Sequence, residues 1–120
     1  EEFESPNTVK VVMDHQQQAL YFSREPIPSR KKFNQPFKKY KQTGLIFFRR
    51  HFLLEFNQMT PTNLEKIESV DMMRVLEHGQ KIKLVLTESQ CYGVDVPSDV
   101  AKIEKHMAAD LFYQKYKNQI

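Results

Sequence analysis

The sequence predicts a single folded domain of the α/β class, from the order of its segments, its length and its composition. Short runs of β-branched and aromatic residues alternate with segments whose apolar residues recur every three or four positions. The length of 120 residues suits one domain, so we expect a single domain over residues 1–120. Hydrophobic residues make up 40% of the chain and charged residues 28%, a balance typical of folded globular proteins.

The first predicted elements are two strands. Residues 9–14 and 19–24 are rich in Val, Tyr and Phe, and the polar residues 15–18 between them indicate a turn. This pattern predicts a β-hairpin. Two prolines within residues 26–28 disfavour helix and strand pairing, and the stretch from there to Lys41 predicts an exposed loop.

A further strand and two helices are predicted next. Residues 44–48 form an almost unbroken apolar run, which is typical of a strand covered on both faces. Residues 49–58 predict a short amphipathic helix. Thr62 and Glu65 have the spacing of a capping box, and apolar residues continue at helical spacing towards Gly79. This predicts one continuous helix that ends at the glycine.

The last predicted elements are a strand and a helix. Residues 81–86 alternate between polar and apolar side chains, as in a strand with one buried face. Pro97 suits the first turn of a helix, and Asp99 complements the positive end of the helix dipole there. We therefore predict that the last helix begins near Pro97.

Charge and cysteine content narrow the functional classes. Residues 24–50 contain one acid and nine basic residues, namely Arg24, Arg30, Lys31, Lys32, Lys38, Lys39, Lys41, Arg49 and Arg50. Such a segment attracts phosphates, sugar acids, nucleic acids or acidic proteins, or else it is a solvated loop. A single cysteine, Cys91, excludes an internal disulfide and a Cys-rich zinc site. We expect a cytoplasmic protein that does not span a membrane.

Three groups of motifs resemble one known family. They are Pro6-Asn7-Thr8-Val9-Lys10-Val11-Val12 with Ala19-Leu20-Tyr21-Phe22-Ser23-Arg24 and Ile27-Pro28, then Leu64-Glu65 through Arg74-Val75-Leu76 with Gly79, then Gly93-Val94-Asp95 with Pro97 and Asp99. Together they resemble the C-terminal half of CMP-Kdo synthetase, the 3-deoxy-manno-octulosonate cytidylyltransferase. The resemblance extends over nearly the whole chain.

The resemblance implies a fold and a reaction. The fold is the C-terminal half of a Rossmann-like nucleotide-diphospho-sugar transferase, with a mixed sheet, a β-hairpin and flanking helices. The reaction couples CTP to the anomeric hydroxyl of the sugar acid Kdo and releases pyrophosphate, for lipopolysaccharide biosynthesis. Mg²⁺ is the implied cofactor, because it supplies positive charge beside the phosphates. Subunits of the family pair through this half, which implies a homo-oligomer.

Two site residues follow from motif matches in the resemblance. Asp95 matches the family's second metal-binding aspartate, and the alternative is that it only caps a helix. Arg24 matches an arginine at the sugar-acid site, where the paired guanidinium N–H groups suit a carboxylate. The alternative for Arg24 is a surface ion pair at a strand end.

Further substrate contacts are implied with less exact matches. Asp71 stands where the family has a glutamate that contacts sugar hydroxyls, and the alternative is an ion pair with Arg74 three residues on. Lys31, or its neighbour Arg30, stands near a further family arginine. Gln42 occupies the place of a sugar-binding histidine.

Two departures leave the identity of the sugar acid open. Gln42 replaces the histidine, and Ile46 replaces a family tyrosine, so polar contacts are lost. Residues 42–50, 69–71 and 77–79 resemble a divergent branch of the family. Kdo, an amino-substituted Kdo or another octulosonic or nonulosonic acid all remain candidate substrates.

The resemblance implies that the Arg/Gly/Lys-containing loop around the triphosphate and the first metal-binding aspartate belong to the family's N-terminal half. The three glycines here are isolated and cannot form a Gly-rich phosphate loop. We therefore expect no activity from this chain alone, and we expect a fragment of a longer chain rather than a stand-alone half. Apolar surface should then be covered by a partner, either a second copy or an N-terminal half.

The alternative is a non-enzymatic α/β module whose basic loop, residues 24–50, binds an anionic partner. Nucleic acid is the less favoured partner, because the aromatic residues form no evident stacking platform.

Overall fold

A computed structural model of the protein describes residues 2–89 and 91–117. The chain divides into two compact units, Glu1–Thr87 and Glu88–Ile120. The first unit contains a small sheet with helices packed against it, and the second contains two helices. The α/β fold class predicted from the sequence is confirmed, and the expectation of a single domain stays a prediction.

The sheet of the first unit is built on the predicted hairpin. Strands β1 (Lys10–Met13) and β2 (Ala19–Ser23) pair antiparallel, with Lys10 opposite Ser23. A two-residue strand, β3 (Tyr40–Lys41), pairs antiparallel with the other side of β1. The order is therefore β2-β1-β3, and these three strands pair antiparallel rather than in the mixed arrangement that the resemblance implies.

Helices α1 (Arg50–Gln58), α2 (Asn63–Glu68) and α3 (Met72–Glu77) complete the first unit, after a short 3₁₀ helix at Glu2–Glu4. The predicted α1 is confirmed. The core between sheet and helices consists of apolar side chains, namely Val11, Ala19, Phe22, Val70, Met72, Met73 and Val75. Phe52 and Phe56 of α1, together with Phe48 two residues before it, pack against this core, and the Phe48 and Phe56 ring centroids are 5.4 Å apart.

The prediction of one continuous helix from Thr62 towards Gly79 is wrong. The chain leaves the helix at Ser69, which has left-handed backbone angles (φ 53°, ψ 48°), and α3 begins at Met72. The break turns Val70 into the core, where it is 5% exposed. The predicted end is confirmed, because Gly79 has φ 71° and directly follows the last turn of α3.

The two remaining strands predicted in the first unit, residues 44–48 and 81–86, do not form as predicted. Residues 44–48 pair with no described strand, and Leu45 and Phe47 are 73% and 87% exposed. Apolar composition signals burial, but a strand also needs a neighbour with free backbone groups. Within 81–86 only Lys83 forms a bridge, with Gln18, because the segment meets the short turn end of the hairpin.

The second unit contains α4 (Pro97–Ala109) and α5 (Leu111–Tyr116). Pro97 stands at the first helical position, as predicted. Tyr92 stacks on His106 with ring centroids 4.0 Å apart, which ties the loop before α4 to that helix. None of the helices in the described parts of the chain is long and apolar enough to cross a membrane.

Candidate functional site

One end of the sheet brings together residues that the sequence singles out. Because both pairings are antiparallel, the end of β2 and the end of β3 lie on either side of the start of β1. Arg24 directly follows β2, and Gln42 directly follows β3. Their backbones are therefore separated by two interstrand spacings, about 10 Å.

Arg24 is fixed at this end of the sheet by three carbonyl oxygens. Its Nε donates to Glu68, its Nη1 to Pro6 and its Nη2 to Ser69, each at 2.9 Å. A guanidinium has five N–H groups, so one remains on each Nη. The half-buried side chain contacts carbonyl groups rather than the carboxylate partner that a surface ion pair needs. Arg24 is thus an immobilised cation with two N–H groups left for a ligand.

Glu68 supports Arg24 through its own side chain as well. Its carboxylate accepts hydrogen bonds from the Tyr21 hydroxyl, the Ser23 hydroxyl and the Arg24 backbone N–H, all at 3.0 Å. Burial, together with the bond to Glu68, raises the pKa of Tyr21 above its ordinary value of 10.0. The carboxylate therefore joins α2 to the last residues of β2.

Lys10 is a buried cation on the adjacent strand, with 1% of its surface exposed. Its Nζ donates to the carbonyls of Ser5 and Thr8 at 2.7 Å and also to the carbonyl of Arg24. Burial lowers the pKa of Lys10 from its ordinary value of 10.5. The three carbonyl acceptors balance the cost of burying the ammonium group.

Sequence reasoning assigned no role to Glu68 or Lys10. The sequence does contain a signal for Lys10, because a lysine inside a run of β-branched residues must either bury its ammonium group or direct it back to solvent. Glu68 had none, since it is one of three acids at three-residue intervals, a spacing typical of a solvated helix face. Its hydrogen bonds are with Arg24 and other residues of the hairpin, and Arg24 lies 44 residues earlier in the chain.

Gln42 and Asp71 lie near this arrangement. The Gln42 backbone donates to Val9 at 2.9 Å, and its buried side-chain Oε1 has no hydrogen-bond partner among the described residues. Asp71 is exposed at the start of α3, two residues after Ser69, whose carbonyl holds Arg24. Asp71 lines a surface depression of about 470 Å³ together with Glu65, Lys66, Ser69 and Val70.

Asp71 does not form the ion pair with Arg74 that was its alternative role. Arg74 binds Glu65 at two points, Nε to Oε2 at 2.8 Å and Nη2 to Oε1 at 2.5 Å. The hydrogen bond from Arg74 lowers the pKa of Glu65 below its ordinary value of 4.5. This arrangement leaves the Asp71 carboxylate available at the surface.

Lys31 is not brought to this end of the sheet by any contact in the described ranges. It is exposed in the loop, and its backbone N–H lies 3.4 Å from the Ser29 hydroxyl. Its neighbour Arg30 forms an ion pair with Glu4, and Lys41 binds Glu2 at 2.8 Å. Acids of the N-terminal 3₁₀ helix therefore neutralise part of the basic segment.

Asp95 belongs to the second unit, two residues before the start of α4, and is exposed. The capping role is taken by Asp99, whose Oδ2 accepts from the N–H groups of Asp95 and Val96 at 3.1 Å. A Cβ at Gly93 would lie 3.0 Å from Asp95 Oδ2, so the glycine leaves room for this carboxylate. No group of three or more metal-binding side chains occurs in residues 2–89 and 91–117.

Comparison with known proteins identifies the family. A family model described as cytidylyltransferase matches residues 1–82. The chain belongs to the cytidylyltransferase family. It is 47% identical to the 3-deoxy-manno-octulosonate cytidylyltransferase of Geotalea uraniireducens (strain Rf4), in an alignment of 112 positions that covers 85% of this chain and 45% of that enzyme. It is 44% identical to the enzyme of the same name from Geobacter metallireducens (strain ATCC 53774 / DSM 7210 / GS-15), with 89% of this chain and 46% of that enzyme covered.

A solved cytidylyltransferase structure has the same fold. The CMP:2-keto-3-deoxy-manno-octonic acid synthetase complexed with CTP matches 92% of this chain with a TM-score of 0.80 and 34% identity, and 45% of that chain is covered. The predicted family and fold are thus confirmed. The chain spans about half the length of the cytidylyltransferases that it matches.

Proposed function

We propose that this chain is the sugar-acid- and metal-binding part of a cytidylyltransferase that converts CTP and Kdo, or a related sugar acid, into CMP-sugar and pyrophosphate for lipopolysaccharide biosynthesis. The main support is its 47% identity to an enzyme named for that sugar acid. The match to a synthetase solved with CTP supports the same nucleotide here. The lone exposed cysteine, Cys91, suits the reducing cytoplasm that we propose as its location.

The proposed role of this chain is to position the sugar acid. In the reaction the anomeric hydroxyl attacks the α-phosphorus of CTP, and the bond from that phosphorus to the pyrophosphate oxygen breaks. Arg24 would bind the sugar carboxylate with its two remaining N–H groups. Gln42, whose side-chain Oε1 has no hydrogen-bond partner among the described residues, would contact a sugar hydroxyl through its amide group, and Asp71 would accept from another. Such contacts orient the attacking hydroxyl and lower the entropic cost of the reaction.

Asp95 is the proposed Mg²⁺ ligand of this chain. Magnesium is typically held by one or two carboxylates, with waters and substrate phosphates completing its shell. A single exposed carboxylate that is not used for helix capping fits that donor set. When bound, the ion supplies positive charge to the triphosphate as negative charge moves onto the leaving pyrophosphate.

We propose that the chain acts only together with a nucleotide-binding half and within an oligomer. Large apolar side chains of the first unit are strongly exposed, with Leu45, Phe47, Ile67 and Val85 all above 70%. Exposed apolar surface of this kind marks an interface. The alternative, an anion-binding module built on residues 24–50, loses support because Arg30 and Lys41 are paired with acids of the same chain.

A graft tests this function directly. This chain replaces the matching segment of the Geotalea uraniireducens enzyme, and pyrophosphate release is measured with CTP, Mg²⁺ and either Kdo or an amino-substituted Kdo. We expect activity from the graft and none from the 120-residue chain alone. A folded graft that is inactive with every sugar acid would contradict the proposal, and salt-sensitive RNA binding by the chain alone would favour the anion-binding alternative.

The metal assignment is tested in the same graft with Asp95→Asn. The substitution keeps the side-chain shape and removes the charge, so the Mg²⁺ concentration needed for half-maximal rate should rise about tenfold or more. Asp110→Asn, on the loop between α4 and α5, is the matched control in the same unit and should leave that concentration unchanged. An unchanged magnesium requirement in Asp95→Asn would remove Asp95 from the site.

A further inference from the structure

We propose that Glu68 and Lys10 are positioning residues that fix the orientation of Arg24 for the substrate carboxylate, an inference that rests on the proposed function. Neither residue touches the proposed substrate. Each acts through Arg24, whose backbone and side chain they hold from two sides.

Glu68 holds Arg24 from the helix side. Its carboxylate accepts from the Arg24 backbone N–H, and its carbonyl accepts from Arg24 Nε. Tyr21 and Ser23 donate to the same carboxylate and fix its rotamer. One residue therefore constrains both ends of the arginine.

Lys10 holds Arg24 from the strand side. Its ammonium group donates to the Arg24 carbonyl and to the carbonyls of Ser5 and Thr8. These last two residues bracket Pro6, whose carbonyl accepts from Arg24 Nη1. The lysine thus secures both the arginine backbone and the segment that holds its side chain.

The backbone at Ser69 completes the arrangement. Its left-handed conformation lets two successive carbonyls, those of Glu68 and Ser69, accept from Nε and Nη2 of one guanidinium. A continuous helix would point both carbonyls along its own axis instead. The break that sequence analysis missed is thus the geometry that receives Arg24.

So many contacts to one arginine are better explained if Arg24 binds a ligand than if its role is only structural. A free arginine loses side-chain entropy when it binds a carboxylate, whereas Arg24 is immobile beforehand. All its fixed contacts are on carbonyl groups, so its charge stays uncompensated by a carboxylate on the guanidinium. Two buried or half-buried charged groups, the Lys10 ammonium and the Glu68 carboxylate, both bind the Arg24 backbone.

The kinetic test uses Glu68→Gln in the graft enzyme, with Glu55→Gln on the exposed face of α1 as the matched control. Glu68→Gln should raise KM for the sugar acid about tenfold, the equivalent of one charge-assisted contact, while kcat and KM for CTP change less than about twofold. Arg24→Ala should raise the same KM at least as much. The double variant should be no worse than Arg24→Ala, because Glu68 acts through Arg24.

A second measurement depends on no activity. In the 120-residue chain, hydrogen exchange of the Arg24 Nε–H and backbone N–H is followed by NMR in the parent, Glu68→Gln and Lys10→Met. We expect exchange to accelerate about tenfold or more in both variants and to stay unchanged in Glu55→Gln.

The outcomes separate this inference from the proposed function. If Arg24→Ala leaves KM for the sugar acid unchanged, the substrate role of Arg24 is wrong. If Arg24→Ala raises that KM but Glu68→Gln does not, the positioning role is wrong while the function stands. If the graft is inactive, unaltered Arg24 exchange in both variants overturns the inference, and accelerated exchange supports the orienting contacts.

Discussion

Glu65 and Arg74 form a two-point ion pair between α2 and α3, with N–O distances of 2.8 and 2.5 Å. Both side chains are largely buried, at 11% and 15% exposed. Arg74 also donates to the Met59 carbonyl at 3.2 Å and lies over the Phe56 ring, 4.6 Å from its centroid. One arginine therefore links α3 to α2 and to the end of α1.

Breaking this pair should destabilise the first unit. Glu65→Gln leaves the largely buried Arg74 guanidinium without its counter-charge, and we expect a loss of about 2 kcal/mol in the free energy of unfolding. Urea denaturation followed by circular dichroism measures it. Glu55→Gln on α1 should change the same quantity by less than about 0.5 kcal/mol. Equal stability of the two variants would contradict the structural importance of the pair.

The same pair predicts acid sensitivity. Because Arg74 lowers the Glu65 pKa, the folded state binds a proton at Glu65 less readily than the unfolded state, whose ordinary value is 4.5. The stabilisation is present above that value and is lost as the pH falls through the lower folded pKa. Urea denaturation at a series of pH values from 7 downwards should show stability falling below about pH 5, with a shallower slope in Glu65→Gln. An identical pH dependence of stability in the parent and in Glu65→Gln would contradict this prediction.

Ser69→Gly should stabilise the chain. A left-handed conformation costs a non-glycine residue free energy that glycine does not pay, so the gain is about 0.5–1 kcal/mol at φ 53°. Ser29→Gly in the exposed loop, which has no such conformation, should be neutral or slightly destabilising. Thermal denaturation compares the two. A lower melting temperature for Ser69→Gly than for the parent would show that the Ser69 backbone is not held as described.

The exposed residues 44–47 should mediate association. Phe47 is 87% exposed, so burying it against a partner is favourable. Light scattering after size-exclusion chromatography at micromolar concentration should show an oligomer for the parent chain and a smaller species for Phe47→Ser. Leu111→Ser in the second unit is the control for general surface polarity. A monomeric parent at that concentration would count against association of this chain with itself.

Much of the first unit follows from local sequence patterns. The hairpin, α1, the capping-box spacing at Thr62 and the stop at Gly79 depend on neighbours a few residues away, and the pattern predicts each of them. The Thr62 backbone N–H does donate to the Glu65 carboxylate at 3.0 Å. Family, fold class and the first element of the second unit, the helix that begins at Pro97, could also be predicted.

Features that depend on distant partners could not be predicted. At the break, the Ser69 carbonyl accepts from Arg24, which lies 45 residues earlier in the chain. Residues 44–48 are apolar, but apolarity does not specify which strand would pair with them. The role of Lys10 depends on carbonyls that only the folded chain brings together. Motif matches gave Arg24 a role, and the geometry added the residues that hold it.

The most direct test of the central claim is a crystal structure of the graft enzyme with CTP and the sugar acid. We expect the sugar carboxylate to lie within about 3 Å of Arg24 Nη1 and Nη2, the distance of a charge-assisted hydrogen bond. The bonds from Arg24 to Pro6, Glu68 and Ser69 should persist unchanged. A carboxylate bound to other cations, such as Lys31, with Arg24 facing only solvent, would contradict the account.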